Sequence, residues 1–306
     1  MKKYFAPMEG LTDRIYRDTH NRFFPGLDRY YTPFFSPTMH HSLTNKEARE
    51  LPPAEQTPVC TIPQILTKSA EDFLWMAKLC ADQGYTEVNL NAGCPSGTVT
   101  AKGKGAGMLA DIDALDRFLE QVFSGTPLPV SVKTRIGVQS PEEWPAILEI
   151  YNRYPIKELI VHSRVRKAFY AGAVEEECFR YATQHSKNPL CYNGDLHTQA
   201  DIDSIERNYP GVDAVMIGRG LIARPDMLSQ KKADNQTLIA FYEELLEAYL
   251  AAFGGSRNAM FRLKEHWHYL LPCFADSEKL GKMLRKTTDL QEYRTISREI
   301  LSLTRT

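Results

Sequence analysis

The chain has no Cys-x-x-Cys pair and no Cys/His group at metal-ligand spacing, although six cysteines (Cys60, Cys80, Cys94, Cys178, Cys191 and Cys273) are scattered along its 306 residues. That scatter speaks against a zinc site or a thioredoxin-like redox pair, and no metal is expected. No segment approaches the ~20 unbroken apolar residues of a spanning helix, so no membrane is expected either. The opening Met1-Lys2-Lys3-Tyr4-Phe5 lacks the apolar run of a secretory signal. A cytoplasmic location with reduced thiols is therefore expected, and Asn235-Gln236-Thr237 reads as a chance sequon. An excess of one charge sign is also missing. With 37 Lys and Arg against 38 Asp and Glu, the formal net charge is −1, and any nucleic-acid binding must come from a local patch.

What is present is a sizeable apolar fraction, 43%, in a chain long enough to bury a core without disulfides. Short β-branched and aromatic runs predict eight strands, at Tyr4–Met8, Arg29–Phe34, Val59–Leu66, Glu87–Asn91, Pro129–Arg135, Glu158–His162, Leu190–Asn193 and Ala214–Ile217. Several are almost wholly apolar, as strands covered on both faces must be. Helical periods separate them, clearest at Ser69–Gln83, Asp111–Ser124 and Glu142–Arg153, with Ser69 placed as an N-cap. Eight strand–helix repeats predict an α/β chain with a (β/α)8 TIM barrel over residues 1–232. A doubly wound sheet would want a Gly-rich turn after the first strand, where Ala6-Pro7-Met8-Glu9-Gly10 stands instead.

Beyond residue 232 the strand signals stop. Leu238, Phe241, Tyr242, Leu245, Tyr249, Ala252 and Phe253 trace one helical face that ends at Gly254-Gly255. Two or three further helices, through Met260–Leu271 and Lys279–Leu303, complete a small all-helical domain over 233–306. From Ser256 to Thr306 there are 10 Lys or Arg and 6 Asp or Glu, a local charge of +4. That charge fits an ordinary solvated helix face as well as an RNA-contacting one.

In a barrel, reactive groups sit where strands end and βα loops begin. Polar residues cluster at those ends: Gln64, Asn89, Asn91, Lys133, Arg135, His162, Arg164, Asn193, Asp195 and Arg219. Burying such charges unpaired in a packed core would be costly, so six strands ending in polar residues point to a polar site at the barrel mouth. Cys94 lies between Gly93 and Pro95, just past the asparagines. A free thiol has a pKa of ~8.5 and is mostly protonated at neutral pH. With no base adjacent in the local sequence, Cys94 suits a proton donor better than a nucleophile, though a packed, inert thiol is the ordinary state of a cysteine. The other five cysteines are read as inert. Lys102-Gly103-Lys104-Gly105-Ala106-Gly107 lacks the Gly-Lys-Ser/Thr ending of a P-loop and is read as a mobile loop offering two lysines to a polyanion. Asn193-Gly194-Asp195 and Gly218-Arg219-Gly220 close the last two strands, where barrels often hold a phosphate; each alone also fits a plain turn. His40-His41 and the His266/His268 pair lack ligand partners and are read as surface or core histidines.

Taken in order, Ala6-Pro7-Met8-Glu9-Gly10, Gln64, Asn91-Ala92-Gly93-Cys94-Pro95-Ser96, Ser131-Val132-Lys133-Thr134-Arg135, Val161-His162, Asn193-Gly194-Asp195 and Met216-Ile217-Gly218-Arg219-Gly220 resemble the dihydrouridine synthase family. The motifs span residues 6 to 220 at the family's spacing, and the helical tail fits its plan. The details look most like the bacterial C-type synthases. The resemblance implies an FMN-binding barrel, a helical domain that grips tRNA, and reduction of the uridine C5–C6 bond with NADPH or NADH. It places Pro7, Met8, Glu9 and Gln64 against the flavin ring, and Lys133 and His162 on the flavin and its ribityl-phosphate arm. Asn193, Gly194, Asp195, Gly218 and Arg219 are placed on the phosphate, and Asn91 and Arg135 on a flipped uracil. Cys94 becomes the proton donor to C5 while reduced flavin gives hydride to C6. A monomer is expected.

Two features depart from the pattern: Ser163-Arg164-Val165 stands where the family usually has Gly-Arg-Thr, and the lysines at 102 and 104 are atypical. Three other readings stay open on sequence. They are an FMN barrel acting on a free pyrimidine, similar to dihydroorotate dehydrogenases, a non-catalytic RNA-binding homologue, and a flavin-free phosphosugar barrel.

Overall fold

A computed structural model describes residues 1–57 and 59–306. Nine short parallel strands form one sheet: β1 (Lys2–Phe5), β2 (Arg29–Tyr31), β3 (Thr61–Ile62), β4 (Gln64–Ile65), β5 (Val88–Ala92), β6 (Val130–Arg135), β7 (Leu159–His162), β8 (Leu190–Asn193) and β9 (Ala214–Ile217). Their order is β3-β2-β1-β9-β8-β7-β6-β5-β4, and the two end strands are neighbours in the chain, separated by Pro63 alone. Pro63 has no N–H to give to a ladder, so the third stave of the barrel is split in two. Its carbonyl still accepts from the Asn89 N–H at 2.9 Å. The result is a nearly closed (β/α)8 TIM barrel, and each of the eight expected strands is present.

Burial explains the choice of residues. All residues of β5, β7, β8 and β9 are buried, because the barrel core covers one face and helices the other. Two of the intervening helices start on side-chain caps: Ser69 accepts the Asp72 N–H for helix Ala70–Asp82, and Asp111 accepts the Ala114 N–H for helix Ile112–Gly125. Each such cap is worth about 1 kcal/mol.

The chain divides into two compact units. One, containing the barrel strands, comprises Met1–Pro7, Asp28–Asp195 and Ala200–Ile217. The other comprises Met8–Leu27, Leu196–Gln199 and Gly218–Thr306. Its long helix Asn235–Phe253 is capped by Asp234 and stops at Gly254, whose φ of 63° is the left-handed conformation that glycine adopts without strain. Helices Ser256–Leu270, Glu278–Lys286 and Leu290–Leu301 follow. Helix Arg14–Phe23 belongs to this unit, where Tyr16 stacks on His266 with centroids 4.7 Å apart. His266 is a core residue, its Nε2 bonded to the Leu11 carbonyl at 2.9 Å. Within the same unit the Asp226–Arg305 ion pair is buried, and the guanidinium holds the carboxyl below its usual range despite burial. No helix is long and apolar enough to cross a membrane among the described residues.

Candidate functional site at the barrel mouth

The two ends of the barrel differ in how their charges are balanced. At the N-terminal end, Glu87 lies 3.2 Å from Arg29 and 3.0 Å from Lys157, and the Tyr4 hydroxyl donates to Glu158 at 3.0 Å. Here the charges are grouped in pairs, Arg29 also lying 3.9 Å from Glu158, although Glu158 Oε2 itself accepts no hydrogen bond. At the C-terminal end, Lys133 makes no hydrogen bond or ion pair with any described residue. Burial and the neighbouring Arg135 lower its pKa to about 8. An unpaired lysine facing a barrel mouth is a group waiting for an acceptor.

Register puts the polar side chains in layers. Gln64 pairs with Asn89 and Asn89 with Ser131; Asn91 pairs with Lys133; Arg135 pairs with His162 and His162 with Asn193. Alternate strand residues face one side. Ile160, Cys191 and Met216, on the same parity as these residues, form an interior cluster with Tyr4, Tyr31 and Ile62. The polar layers therefore stand on an apolar floor.

A directed chain of hydrogen bonds runs through the lower layer. Ser131 Oγ donates to the Val88 carbonyl at 3.4 Å and accepts from Asn89 Nδ2 at 3.0 Å. Asn89 Oδ1 accepts from Gln64 Nε2 at 2.8 Å, and Gln64 Oε1 accepts from Asn91 Nδ2 at 2.8 Å. Asn91 Oδ1 then accepts the backbone N–H groups of Gly93 and Cys94, at 3.1 and 2.9 Å. One end is a backbone carbonyl that can only accept, the other is a pair of N–H groups that can only donate. Both ends demand the same orientation of all three amides, so none is free to flip. The chain fixes the loop that carries Cys94, which is half-buried.

The same loop is held from above. Ala106 N–H donates to the Cys94 carbonyl at 3.0 Å. Gly105 has φ of 58°, and a Cβ there would meet the Cys94 carbonyl at 2.9 Å; one at Gly107 would meet the Thr100 carbonyl at 2.8 Å. Glycine is needed at both for this close approach. The segment expected to be a mobile loop with two free lysines is thus packed, with Gly105 and Ala106 buried and Lys104 Nζ bonded to Ser36 Oγ at 3.1 Å.

Arg135 is 1% exposed, and its guanidinium is spent on carbonyls: Gly93 at 3.0 Å, Val165 at 2.9 Å and Phe169 at 2.6 Å. It straps the loop after β5 to the loop after β7. Tyr170, a residue the sequence reading missed, lies 5.3 Å from the Arg135 guanidinium and stacks near His162 at 6.1 Å. The available signal was the Phe169-Tyr170 pair just before Gly172. Phe169 adopts φ of 50°, rare for a residue with a side chain, while its carbonyl serves Arg135.

Arg164 ties the last strands together. Its guanidinium reaches His162 Nε2 at 3.1 Å, the Gly172 carbonyl at 2.5 Å and the Asp195 carboxylate. Arg164 donates, so His162 Nε2 accepts and the imidazole is neutral. Asp195 is therefore paired through its side chain. Asn193 Nδ2 donates to the Met216 carbonyl at 2.7 Å. At Gly194 a Cβ would strike Val174 at 2.8 Å, and φ there is 152°.

The structure thus gathers Gln64, Asn91, Cys94, Lys133, Arg135, His162, Asn193, Gly194 and Asp195 in the barrel unit, with Pro7 directly after β1. Met8, Glu9, Gly218 and Arg219 belong to the other compact unit. There Met8 N–H donates to Thr12 Oγ1 at 2.9 Å, and Gly218 precedes the short helix Arg219–Ala223. Among the remaining thiols, burial raises Cys80 to about 12 and Cys178 to about 11, as expected of inert cysteines.

The low pKa of Lys133 has a consequence for stability. Between about pH 8 and the ordinary lysine value, the unfolded chain binds a proton at this site that the folded one does not, so the contribution of Lys133 to stability rises with pH in that window. Urea unfolding from pH 7.5 to 10.5 is expected to show this rise as a gain of wild type relative to Lys133→Met, because buried thiols such as Cys80 and Cys178 pull total stability the other way in both proteins. An unchanged slope would mean that Lys133 is not depressed.

Comparison with known proteins agrees with this geometry. A family model described as Dihydrouridine synthase (Dus) matches residues 4–296. A probable tRNA-dihydrouridine synthase of Rhizobium leguminosarum bv. phaseoli is 28% identical, covering 91% of this chain and 89% of that protein. A probable tRNA-dihydrouridine synthase of Rhodobacter capsulatus is 30% identical over 81% and 80%. A tRNA-dihydrouridine(16) synthase of Pseudomonas putida is 29% identical over 74% and 72%. Among solved structures, morphinone reductase shares the fold at a TM-score of 0.52 and 14% identity, covering 75% of this chain and 84% of that one. With a family match over nearly its whole length and a thiol loop and lysine set at the barrel mouth, the chain belongs to the dihydrouridine synthase family.

Proposed function

We propose that this protein is an FMN-dependent tRNA-dihydrouridine synthase that reduces the C5–C6 bond of tRNA uridines, with NADPH or NADH as reductant. The observation that carries the proposal is the Cys94 loop, clamped by Asn91 and Ala106 beside an unpaired Lys133. The residues suit a polar, phosphate-bearing ring. Arg164 Nε and Ser163 Oγ are buried without a partner, Lys133 lacks an acceptor, and Gln64 and Asn91 each keep one amide hydrogen free of the chain described above. Gln64, Lys133, His162, Asn193 and the Gly194 backbone are the barrel residues proposed to hold FMN.

When bound, the flavin would supply hydride to C6 of uracil. The protein's part is orientation and proton delivery. Cys94 gives its Sγ proton to C5, and the free amide hydrogen of Asn91 offers a donor to the polar edge of the base. Arg135 acts by holding the two loops that frame it. A uridine in folded RNA must first leave its stack, at a cost of a few kcal/mol, which gives the helical residues 233–306 a task as the tRNA-gripping domain. The proposed setting is a cytoplasmic monomer.

The test is mass spectrometry of nucleosides from unmodified tRNA incubated with flavin-loaded protein and NADPH. Dihydrouridine is the expected product. Its absence, with turnover of a free pyrimidine instead, would overturn the proposal.

A further inference from the structure

Three lysines converge on the barrel rim next to the Cys94 loop, and the chemistry proposed above uses none of them. Lys102 and Lys68 are exposed. A Cβ built on Gly103 would lie 3.5 Å from Lys68 Cδ and 3.7 Å from its Nζ, so the Lys68 side chain runs along the backbone between Lys102 and Lys104. Lys104 Nζ donates to Ser36 Oγ at 3.1 Å, and Ser36 Oγ donates to the Leu66 carbonyl at 3.3 Å, which joins the loops after β2, β4 and β5. Arg166 adds a fourth positive charge, its guanidinium bonded to Thr100 Oγ1 at 2.9 Å.

No carboxylate neutralises the three lysines among the described residues. Glu47, whose carboxylate accepts the Ser36 N–H at 3.3 Å, also accepts from Thr44 at 2.9 and 2.8 Å in a capping box. This contrasts with Arg29 and Lys157 at the far end of the barrel, which are paired to Glu87. Positive charge held together without counter-charge raises the local concentration of a polyanion. Its position also matters: Gly105, directly after Lys104, comes so near Cys94 that an added Cβ would sit 3.0 Å from Cys94 Cβ.

We infer that Lys68, Lys102 and Lys104 form a phosphate-binding rim that seats the RNA backbone flanking the nucleotide delivered to Cys94. The inference rests on the proposed action on RNA and adds a second grip, on the barrel, to that of the helical domain. A nucleotide drawn out of its stack brings its two flanking phosphates to the mouth, and lysines there bind them as point charges without reading the base.

The experiment measures tRNA affinity of the flavin-loaded full chain as a function of salt, for wild type and for Lys68→Gln/Lys102→Gln/Lys104→Gln. Glutamine at 104 keeps a donor for Ser36. With roughly 0.7–0.9 of log–log salt slope per phosphate contact, the variant's slope is expected to be shallower by about 2, with affinity at low salt lower by tenfold or more. Lys102→Glu alone, at an exposed unpaired position, is expected to weaken binding in the same direction. Flavin reduction by NADPH is expected to be unchanged. Wild-type binding with an unaltered variant slope would sink the rim and leave the proposed function standing. A raised KM for NADPH with unchanged tRNA binding would overturn it in favour of a reductant site. A wild-type protein with no affinity for tRNA would sink both readings.

Discussion

Cys94→Ala is expected to lower dihydrouridine formation by about 10²–10⁴-fold, the usual worth of a positioned general acid. The substitution removes a single sulfur from a loop whose backbone is fixed independently of it. Asn91 Oδ1 still accepts the N–H groups of Gly93 and residue 94, and Ala106 still donates to the carbonyl of residue 94. The amide chain from Ser131 to Gln64 is untouched. Flavin content and flavin reduction by NADPH should therefore stay near wild type while transfer to the RNA base fails. Rapid mixing separates the two half-reactions, and nucleoside mass spectrometry reads the product. Wild-type product from the alanine variant would remove Cys94 from the mechanism. Equal loss of flavin and product would make it a structural residue.

Arg135→Met is expected to cost at least about 3 kcal/mol of stability. Hydrogen bonds to charged groups contribute roughly 1.5–3 kcal/mol each, and three carbonyls from two loops depend on this one guanidinium. Methionine replaces the apolar stem, so most of the loss reports carbonyls left without a donor at a site only 1% exposed. Lysine is a useful intermediate: it keeps the charge but cannot present a rigid fork to Gly93, Val165 and Phe169 together. Urea unfolding should rank wild type above Arg135→Lys and Arg135→Met lowest. Activity should fall in the same order, because the loop carrying Tyr170 loses its strap to the loop carrying Cys94. If methionine were tolerated within 1 kcal/mol, the strap would be incidental.

Much of this was legible in the sequence because it is local. Strand alternation, helical period, the Ser69 cap and the Gly254 stop depend on residues within a few positions of each other, and the barrel followed from counting the repeats. The motif residues were legible as a group because they end successive strands. Their division of labour was not. Arg135 and Lys133 look alike in sequence, two residues apart on one strand, yet one donates to three carbonyls and the other has no partner among the described residues. The difference lies in the loop after β7, some 30 residues away, folding back over Arg135 alone.

The lysine-rich loop shows the same limit, because the close approaches at Gly105 and Gly107 that pack it are invisible to composition. The grouping of Met8–Leu27 with the helical unit likewise arises from packing partners more than 200 residues distant, such as Tyr16 with His266. By itself, the sequence determined the barrel and its helical tail, since period and order are written along the chain. Tertiary structure alone decided the polarity of the Ser131–Asn89–Gln64–Asn91 chain and which charges stay unpaired. Those depend on the register of strands joined only when the barrel closes.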